Sequence, residues 1–261
     1  MGQRRNLVVI RMGDDPYCRR WGDLVEHERS WDCYVNYYGN QEIAPSIGQE
    51  MTFRHGVTKF IGIAELYDTT AGALDGYDAL LFLDDDIEIM PAQIEEFFKL
   101  FHKHRLVLAQ PSLHPASFFN HRVTVSNNRY IIRYTQFVEI MMPAFSHEAF
   151  ALCLPTFRLS VSGWGLDYLW PQRLGFPRKK VAIVDAVAVR HSKPSDPQQG
   201  AFYQMLRGLD IDAQAELDEL IRTYNIDAAA CHRERGGVMK QAIWQRSLEW
   251  LRRHNGTSAD H

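Results

Sequence analysis

The stretch "YDALLFLDDDIEIM", residues 77–90, decides the fold and raises the question of function. Its apolar residues 79–83 form the short continuous run that is typical of a buried strand. Three adjacent carboxylates, Asp84, Asp85 and Asp86, follow this run, and their like charges repel one another. In an extended segment Asp84 and Asp86 point to one side of the strand and Asp85 to the other. The stretch therefore predicts a buried strand with two carboxylates on one face of its tip.

A bound divalent cation would offset this repulsion. Magnesium and manganese prefer oxygen ligands, and a strand end holds such ligands rigidly. Without a cation, the pKa values of the carboxylates should rise. Two alternatives stay open: the aspartates could cap the helix that begins near Pro91, or the run could be the D-x-D of a haloacid dehalogenase-type phosphatase. That phosphatase motif usually ends the first strand, whereas Asp84 lies far into the chain.

Composition narrows the class of protein. The chain has 261 residues, of which 46% are hydrophobic, and this is enough for one large core. A net charge of −3 gives no reason to expect nucleic acid as a partner. No apolar run approaches the roughly 18 residues of a transmembrane helix, and the apolar start is too short for a signal peptide. The four scattered cysteines predict free thiols in a reducing compartment. We therefore expect a cytoplasmic protein.

Strands alternate with helices over the first 110 residues. This alternation predicts βαβ units and a mainly parallel sheet. Ligands bind beyond the carboxyl ends of the strands in such sheets, and the aspartate run lies at such an end. The predicted strands cover residues 6–12, 31–39, 79–83 and 106–110, with helices over 59–74 and 91–105. Further strands are predicted within 129–145 and 179–191, with a helix over 146–154.

A second candidate cluster lies in "SVSGWGLDYLWPQRLGFPRKK", residues 160–180. Gly163 and Gly165 flank Trp164 and would permit a tight loop that presents the indole, whose flat face suits stacking on a sugar. Asp167 follows three residues later and could accept a proton from a hydroxyl nucleophile. Alternatively, Trp164 belongs to the core and Asp167 caps the next helix.

The strand "AIVDAVAVRHSKP", residues 182–194, contributes the third cluster. His191 could bind the cation held by Asp86, and Lys193 could contact a phosphate. Alternatively, His191 is an ordinary surface residue. Asp185 lies inside the strand and is interpreted as structural, paired with Arg190 or with a backbone amide.

The last part of the chain differs from the rest in its sequence pattern. Amphipathic segments from about residue 197 predict a helical extension, 197–261, on a main domain of residues 1–196. In the segment 244–254, "WQRSLEWLRRH", the apolar residues share one helix face. This face could pack on the main domain, join a homodimer or rest on the inner face of a membrane.

The order of a strand ending in DDD, then GWGLD, then VAVRHSKP resembles the GT-A glycosyltransferases over about residues 5–195. It resembles more closely a bacterial family of predicted glycosyltransferases related to plant proteins of once-unknown function. The resemblance implies a Rossmann-like mixed α/β fold, with a mainly parallel sheet flanked by helices. It also implies a nucleotide-sugar donor, with a UDP-sugar favoured, a glycan or other hydroxyl acceptor, and a divalent cation, manganese or magnesium.

The resemblance also implies roles for single residues. The expected metal ligands are Asp84, Asp86 and His191. The expected donor-binding residues are Asp14, Asp84, Asp85 and Lys193, with Asp14 placed near the nucleotide by fold analogy. The GWG loop resembles that of the β-1,4-galactosyltransferases, which implies an acceptor site formed by Trp164, Gly165 and Asp167. Asp167 is then the catalytic base, although Tyr168 stands where a second acidic residue would be.

The sequence thus predicts a metal-dependent glycosyltransferase. By analogy with the GWG enzymes we expect inversion at the transferred sugar, and a role in cell-envelope polysaccharide synthesis. The segments 111–129 and 192–200 are expected to be lids that exclude water. The alternative is a nucleotide- or glycan-binding protein on the same fold that has no catalytic activity.

Overall fold

The structure is a computed structural model, and it describes residues 4–14, 16–18, 20–21, 29–39, 51–53, 58–69, 74–194 and 200–240. The helix face predicted within 244–254 lies outside these ranges. So do residues 195–199 of the lid predicted over 192–200.

Ten strands and seven helices form within the described ranges. The strands are β1 (Asn6–Met12), β2 (Trp31–Tyr37), β3 (Met51–Phe53), β4 (Ala79–Asp84), β5 (Ile87–Glu88), β6 (Leu108–Leu113), β7 (Tyr130–Tyr134), β8 (Ala144–Ser146), β9 (Val181–His191) and β10 (Gly237–Met239). The helices are α1 (Lys59–Thr69), α2 (Pro91–Lys103), α3 (His147–Cys153), α4 (Leu166–Arg173), α5 (Ala201–Gly208), α6 (Ala213–Tyr224) and α7 (Ala228–Cys231).

The strands form a mixed sheet in the order β10-β7-β9-β6-β8-β4-β1-β2-β3. The longest pairings, β1 with β2, β1 with β4 and β6 with β9, are parallel. Strand β8 is antiparallel to both β4 and β6, between which it lies. The short β5 pairs with the end of β9. The predicted mixed α/β fold, with a mainly parallel sheet flanked by helices, is confirmed.

Alternating residues of β1 belong to two apolar layers, one on each face of the sheet. Val8 and Ile10 belong to one layer, and Leu7 and Val9 to the other. The first layer contains the buried face of α2, whose first residue is Pro91, as helix starts favour. The second layer contains buried residues of α1, α3 and α4. Both layers are needed because the central strands are buried on both faces.

Strand β6 ends later than the sequence pattern predicts. The prediction of a strand over 106–110 stops before Pro111, since proline cannot donate a ladder hydrogen bond. The strand nevertheless continues to Leu113, and its register with β9 shifts between Pro111 and Ser112. The irregularity in the pairing accommodates the proline inside the strand.

The described part of the C-terminal segment packs against the sheet. Strand β10 pairs with β7, where Arg133 forms a buried ion pair of 2.7 Å with Asp185 on β9. Arg133 also binds Glu234, which precedes β10. Asp185 pairs with Arg133 and accepts a hydrogen bond from the Asn127 amide. Of the two predicted partners, the backbone amide is confirmed and Arg190 is wrong.

All four cysteines are buried and free. Among the described residues, no helix is both long enough and apolar enough to cross a membrane.

Candidate active site

The three carboxylates at the tip of β4 face three different partners. Asp84 Oδ1 accepts a hydrogen bond of 2.9 Å from Lys59 Nζ. The same ammonium group donates to the carbonyl oxygens of Ile140 and Met141, at 2.5 and 2.9 Å. Burial raises the pKa of Asp84 to about 6, although the Lys59 charge opposes this. Lys59 is therefore a fixed counter-ion that joins the tip of β4 to the neighbouring segment 140–141.

Asp85 points to the loop that follows β1. Its Oδ2 accepts hydrogen bonds from the Gly13 amide, at 2.7 Å, and from the Tyr38 hydroxyl, at 3.0 Å. Burial raises the pKa of Asp85, and the Gly13 hydrogen bond opposes this. The next residue of the loop, Asp14, accepts a hydrogen bond from the Tyr37 hydroxyl. Asp14 and Asp85 therefore belong to one loop–strand junction.

Ile87 of β5 pairs with His191 at the end of β9. This pairing brings Asp86, the residue before Ile87, close to His191. The distance between Asp86 Oδ2 and His191 Nε2 is 3.3 Å. His191 Nδ1 lies 2.9 Å from the Phe118 carbonyl, which can only accept, so Nδ1 carries a proton. Burial alone would lower the pKa of His191, but Asp86 raises it to about 9. Burial alone would raise the pKa of Asp86, but the His191 hydrogen bond and charge hold it below its ordinary value.

The donor set at this tip fits a divalent cation with two protein ligands. Of the three predicted ligands, Asp86 and His191 are in contact, whereas Asp84 faces Lys59. Within the described ranges, no three His, Cys, Asp or Glu side chains form a complete metal cage. Magnesium-type sites commonly use one or two carboxylates together with substrate phosphates and water. A histidine ligand typically has its second nitrogen bound to a carbonyl, as His191 has.

Lys193 adds positive charge beside the same tip. Its side chain is exposed, and its charge lowers the pKa values of Asp85 and Asp86. It therefore lies within electrostatic reach of any anion that binds there.

Two left-handed glycines shape the loop before α4. Gly163 and Gly165 have φ angles of 85° and 89°, which side-chain-bearing residues rarely adopt. A Cβ atom on Gly165 would also lie only 2.9 Å from Leu220 Cδ1. The half-buried indole of Trp164 packs edge-on against Tyr203, with ring centroids 6.5 Å apart. The loop thus fixes Trp164 just ahead of the first turn of α4.

Asp167 lies in that first turn and is 4% exposed. Its Oδ1 accepts a hydrogen bond of 3.1 Å from the Tyr168 amide. Burial raises its pKa to about 7, against the effect of backbone hydrogen bonds from Tyr168 and Gly165. A carboxyl group whose pKa lies near neutral pH is suited to take up and release a proton.

Helix α6 holds the glycine loop in place. Glu216 accepts hydrogen bonds from the amides of Val161 and Ser162, at 2.7 and 2.8 Å, and from the Ser160 hydroxyl, at 3.0 Å. Ser162 Oγ in turn accepts a bond of 3.1 Å from the Trp164 amide. A residue of the C-terminal segment thus fixes the loop that carries Trp164 and Asp167.

A comparison with protein families assigns the chain. The family model described as "Protein of unknown function (DUF707)" matches residues 72–219, which is more than half of the chain. The chain belongs to the DUF707 family. The matched residues include β4, the aspartate run, the glycine loop and His191. A search of the curated proteins found no match.

Solved structures that are similar to this DUF707 chain have low sequence identity to it. A structure of GalNAc-T7 with UDP, GalNAc and Mn²⁺ is 11% identical, with a TM-score of 0.53. The match covers 96% of this chain and 55% of the GalNAc-T7 chain. TarS 1–349 of S. aureus is 8% identical, with a TM-score of 0.47. The match covers 86% of this chain and 73% of the TarS chain. The likeness to GalNAc-T7 shows that the DUF707 chain has a GT-A-type fold.

Sequence reasoning on the DUF707 chain missed three charged residues of this region: Lys59, Glu139 and Glu216. Glu139 is 3% exposed and lies in "QFVEIMMPAF", residues 136–145. A single charge within so apolar a segment was a usable signal, because a buried charge needs a partner. Lys59 and Glu216 gave no such signal, since each begins or lies on an amphipathic helix where surface charges are ordinary.

Proposed function

We propose that this DUF707 protein is a metal-dependent glycosyltransferase that moves a sugar from a nucleoside-diphosphate donor to a hydroxyl acceptor. The observation that carries the proposal is the contact between Asp86 and His191 at the tip of the sheet. A buried carboxyl, Asp167, with a pKa of about 7 complements it. A site for an anionic leaving group and a candidate proton acceptor are the two parts that glycosyl transfer needs.

The fold neighbour suggests the first ligands to test. The structure of GalNAc-T7 contains UDP, GalNAc and Mn²⁺. We propose by this likeness that a UDP-sugar is the donor and that manganese, or else magnesium, is the cation.

Asp86 and His191 Nε2 would hold the cation once the Nε2 proton, which the raised pKa of His191 retains at neutral pH, has left. A cation there would supply neutralisation of the charge that develops on the leaving diphosphate. Asp84, fixed by Lys59, would orient the donor from the neighbouring position. Lys193 would contact the diphosphate, because its exposed ammonium lies near the same carboxylates.

The nucleoside would bind at the junction between β1 and β4. Asp14 and Asp85 are tied there through Tyr37, Gly13 and Tyr38. Such a position, beyond the carboxyl ends of parallel strands, is where doubly wound sheets bind nucleotides.

Asp167 would act on the acceptor, which Trp164 and Gly165 help to bind. The acceptor hydroxyl gives its proton to the Asp167 carboxylate, and the hydroxyl oxygen forms a bond to the anomeric carbon of the donor sugar. The bond between that carbon and the diphosphate oxygen breaks, and the nucleoside diphosphate leaves with the electron pair. A single displacement of this kind inverts the anomeric configuration.

Three broader assignments belong to the same proposal. Residues 1–196 would form the catalytic domain, and 197–261 would be its extension, whose described part contains α5 to α7 and the strand β10. The acceptor would be a glycan of the cell envelope, and the protein would act in the cytoplasm.

The direct test is a thermal-shift screen with UDP, GDP, CMP and dTDP, each with and without Mn²⁺. A ligand that binds only the folded state raises the melting temperature. We expect one nucleotide to stabilise the wild type only with Mn²⁺, and Asp86→Ala to remove that effect. Glu96→Ala, a change of an exposed carboxylate on α2, is the matched control and should behave as wild type.

Chromatography of donor consumption in the presence of Mn²⁺ and candidate glycan acceptors then tests turnover. Full activity in Asp86→Ala would overturn the metal assignment. Nucleotide binding without any sugar release would favour the non-catalytic binding protein instead.

A further inference from the structure

Glu139 is a buried carboxyl that the reaction above does not use. It is 3% exposed, and its Oε2 has no hydrogen-bond partner among the described residues. Buried polar atoms in native proteins are nearly always paired, because an unpaired one destabilises the fold. Among the described residues, the Oε2 atom of Glu139 is therefore open to a hydrogen-bond donor from a bound molecule.

The backbone around Glu139 is rigidly held. Its amide donates a hydrogen bond of 2.5 Å to Oε1 of Gln110, a fully buried residue of β6. Two residues later, the Met141 carbonyl accepts a bond of 3.0 Å from the Asp84 amide at the tip of β4. The Glu139 side chain consequently starts from a fixed point between β4 and β6.

The charged neighbours of Glu139 belong to both halves of the site. After burial, the Asp167 charge is the largest influence that raises its pKa, which is about 8. His191 and Asp84, at the strand tip, also act on it. In glycosyl transfer the migrating sugar must lie between the diphosphate and the acceptor hydroxyl. Glu139 lies within electrostatic reach of both sides, and the bond from the Asp84 amide to the Met141 carbonyl ties its segment to the strand tip.

The loop after β6 ties Glu139 to the same frame. Asn120 hydrogen-bonds the Glu139 side chain, and Phe118 supplies the carbonyl that orients His191. His121, the residue after Asn120, packs edge-on against Tyr168, with ring centroids 6.2 Å apart. One short loop therefore sets the position of Glu139 relative to His191 and to the residue that follows Asp167.

We propose that Glu139 binds a hydroxyl group of the transferred sugar and so selects the donor. This inference rests on the proposed function. Asn120 fixes the carboxyl group, which leaves Oε2 for the sugar. The same surroundings favour an uncharged sugar, because a uronic acid would bring one more carboxyl group, with its own desolvation cost, beside those of Glu139, Asp167 and Asp84. The donor class is thus a nucleotide hexose or N-acetylhexosamine.

The test compares binding of the nucleotide with binding of the nucleotide sugar. Titration calorimetry in Mn²⁺ would measure UDP, UDP-glucose, UDP-GlcNAc, UDP-GalNAc and UDP-glucuronate against wild type, Glu139→Ala and Glu139→Gln. We expect Glu139→Ala to bind UDP within about twofold of wild type but to bind the preferred UDP-sugar roughly 10- to 100-fold more weakly. Glu139→Gln should lose less, and UDP-glucuronate should bind the wild type no better than UDP.

The controls separate the possible failures. Glu148→Ala removes an exposed carboxylate on α3 and should change neither affinity. Unchanged UDP affinity shows that a variant is folded, and Glu139→Gln keeps the shape of the side chain if Glu139→Ala does not fold. If both variants bind every UDP-sugar as wild type does, the orphaned oxygen is paired by water and the inference is wrong. If the wild type binds no nucleotide with Mn²⁺, the proposed function itself fails.

Discussion

Asp86, at the tip of β4, and the carboxyl groups deeper in the site are held in opposite ways. Asp86 faces His191 and has a pKa below its ordinary value. Deeper in the site, burial dominates, and the pKa values of Glu139 and Asp167 rise to about 8 and 7. The site thus contains one carboxylate that stays ionised beside an opposite charge and two carboxyl groups that titrate near neutral pH.

The difference assigns different chemistry to the two regions. A carboxylate that stays ionised beside an imidazole can bind a cation, whereas a carboxyl that titrates near neutral pH can take up and release a proton. The repulsion within the aspartate run is relieved because each of the three side chains has its own partner.

The largest effect is expected from Asp167→Asn. Removing a general base typically lowers turnover by about 10²- to 10⁴-fold, while the affinity for nucleotide and Mn²⁺ should not change. Sugar transfer followed by chromatography, together with calorimetry of UDP binding, measures both quantities. A variant that keeps more than a tenth of wild-type turnover would remove Asp167 from the role of base.

The same variant should be more stable than wild type at alkaline pH. An aspartate ionises near pH 3.8 when unperturbed, but Asp167 ionises only near pH 7 in the folded protein. The unfolded state therefore releases its proton first, and the folded state loses stability as pH rises from about 4 to 7. We expect Asp167→Asn to gain on the order of 2 to 4 kcal/mol at pH 8 and almost nothing at pH 4. Urea unfolding at both values measures the gain, and equal stabilities at pH 8 would contradict it.

Lys59→Met tests the charge pairing between Lys59 and Asp84 at the tip of β4. It leaves the Asp84 carboxylate without its counter-ion, and we expect a loss of about 1 to 3 kcal/mol in the free energy of unfolding. Adding Asp84→Asn should recover part of this loss, which a double-mutant cycle measures. Lys99→Met, which removes an exposed lysine 3.6 Å from Glu96, is the control and should change stability by less than about 0.5 kcal/mol. Equal losses in the two lysine variants would show that Lys59 compensates nothing.

The smallest effect is expected from Glu216→Ala, which frees the glycine loop. Misplacing a catalytic group costs rate through lost orientation, so we expect kcat to fall about tenfold with unchanged nucleotide affinity. Glu216→Gln should recover only part of the rate, because both oxygens of Glu216 accept backbone hydrogen bonds and glutamine replaces one of them with an NH₂ group that cannot accept. Glu219→Ala, on the exposed side of the same helix, is the control. Tryptophan fluorescence reports on the loop, and an unchanged kcat in Glu216→Ala would mean that the loop needs no such support.

Local patterns were sufficient for most of the framework. The predicted strand over 6–12 matches β1, and the run at 79–83 is β4 with one further residue. These elements could be predicted because continuous apolar runs and helical periodicity are properties of neighbouring residues. The extension of β6 through Pro111 could not be predicted, because the irregular pairing with β9 that accommodates it comes from a distant segment.

The sequence by itself determined which segments are buried, where the carboxylates follow a strand, and where glycines allow a sharp loop. The tertiary structure alone decided that Lys59 pairs with Asp84 and that Glu216 holds the glycine loop, whereas His191 was already expected near Asp86. It also brought the Glu139 segment beside β6, where the Glu139 amide binds the buried side chain of Gln110. Burial follows from the local order of apolar residues, whereas the pairing of charges depends on which strands and helices the sheet brings together.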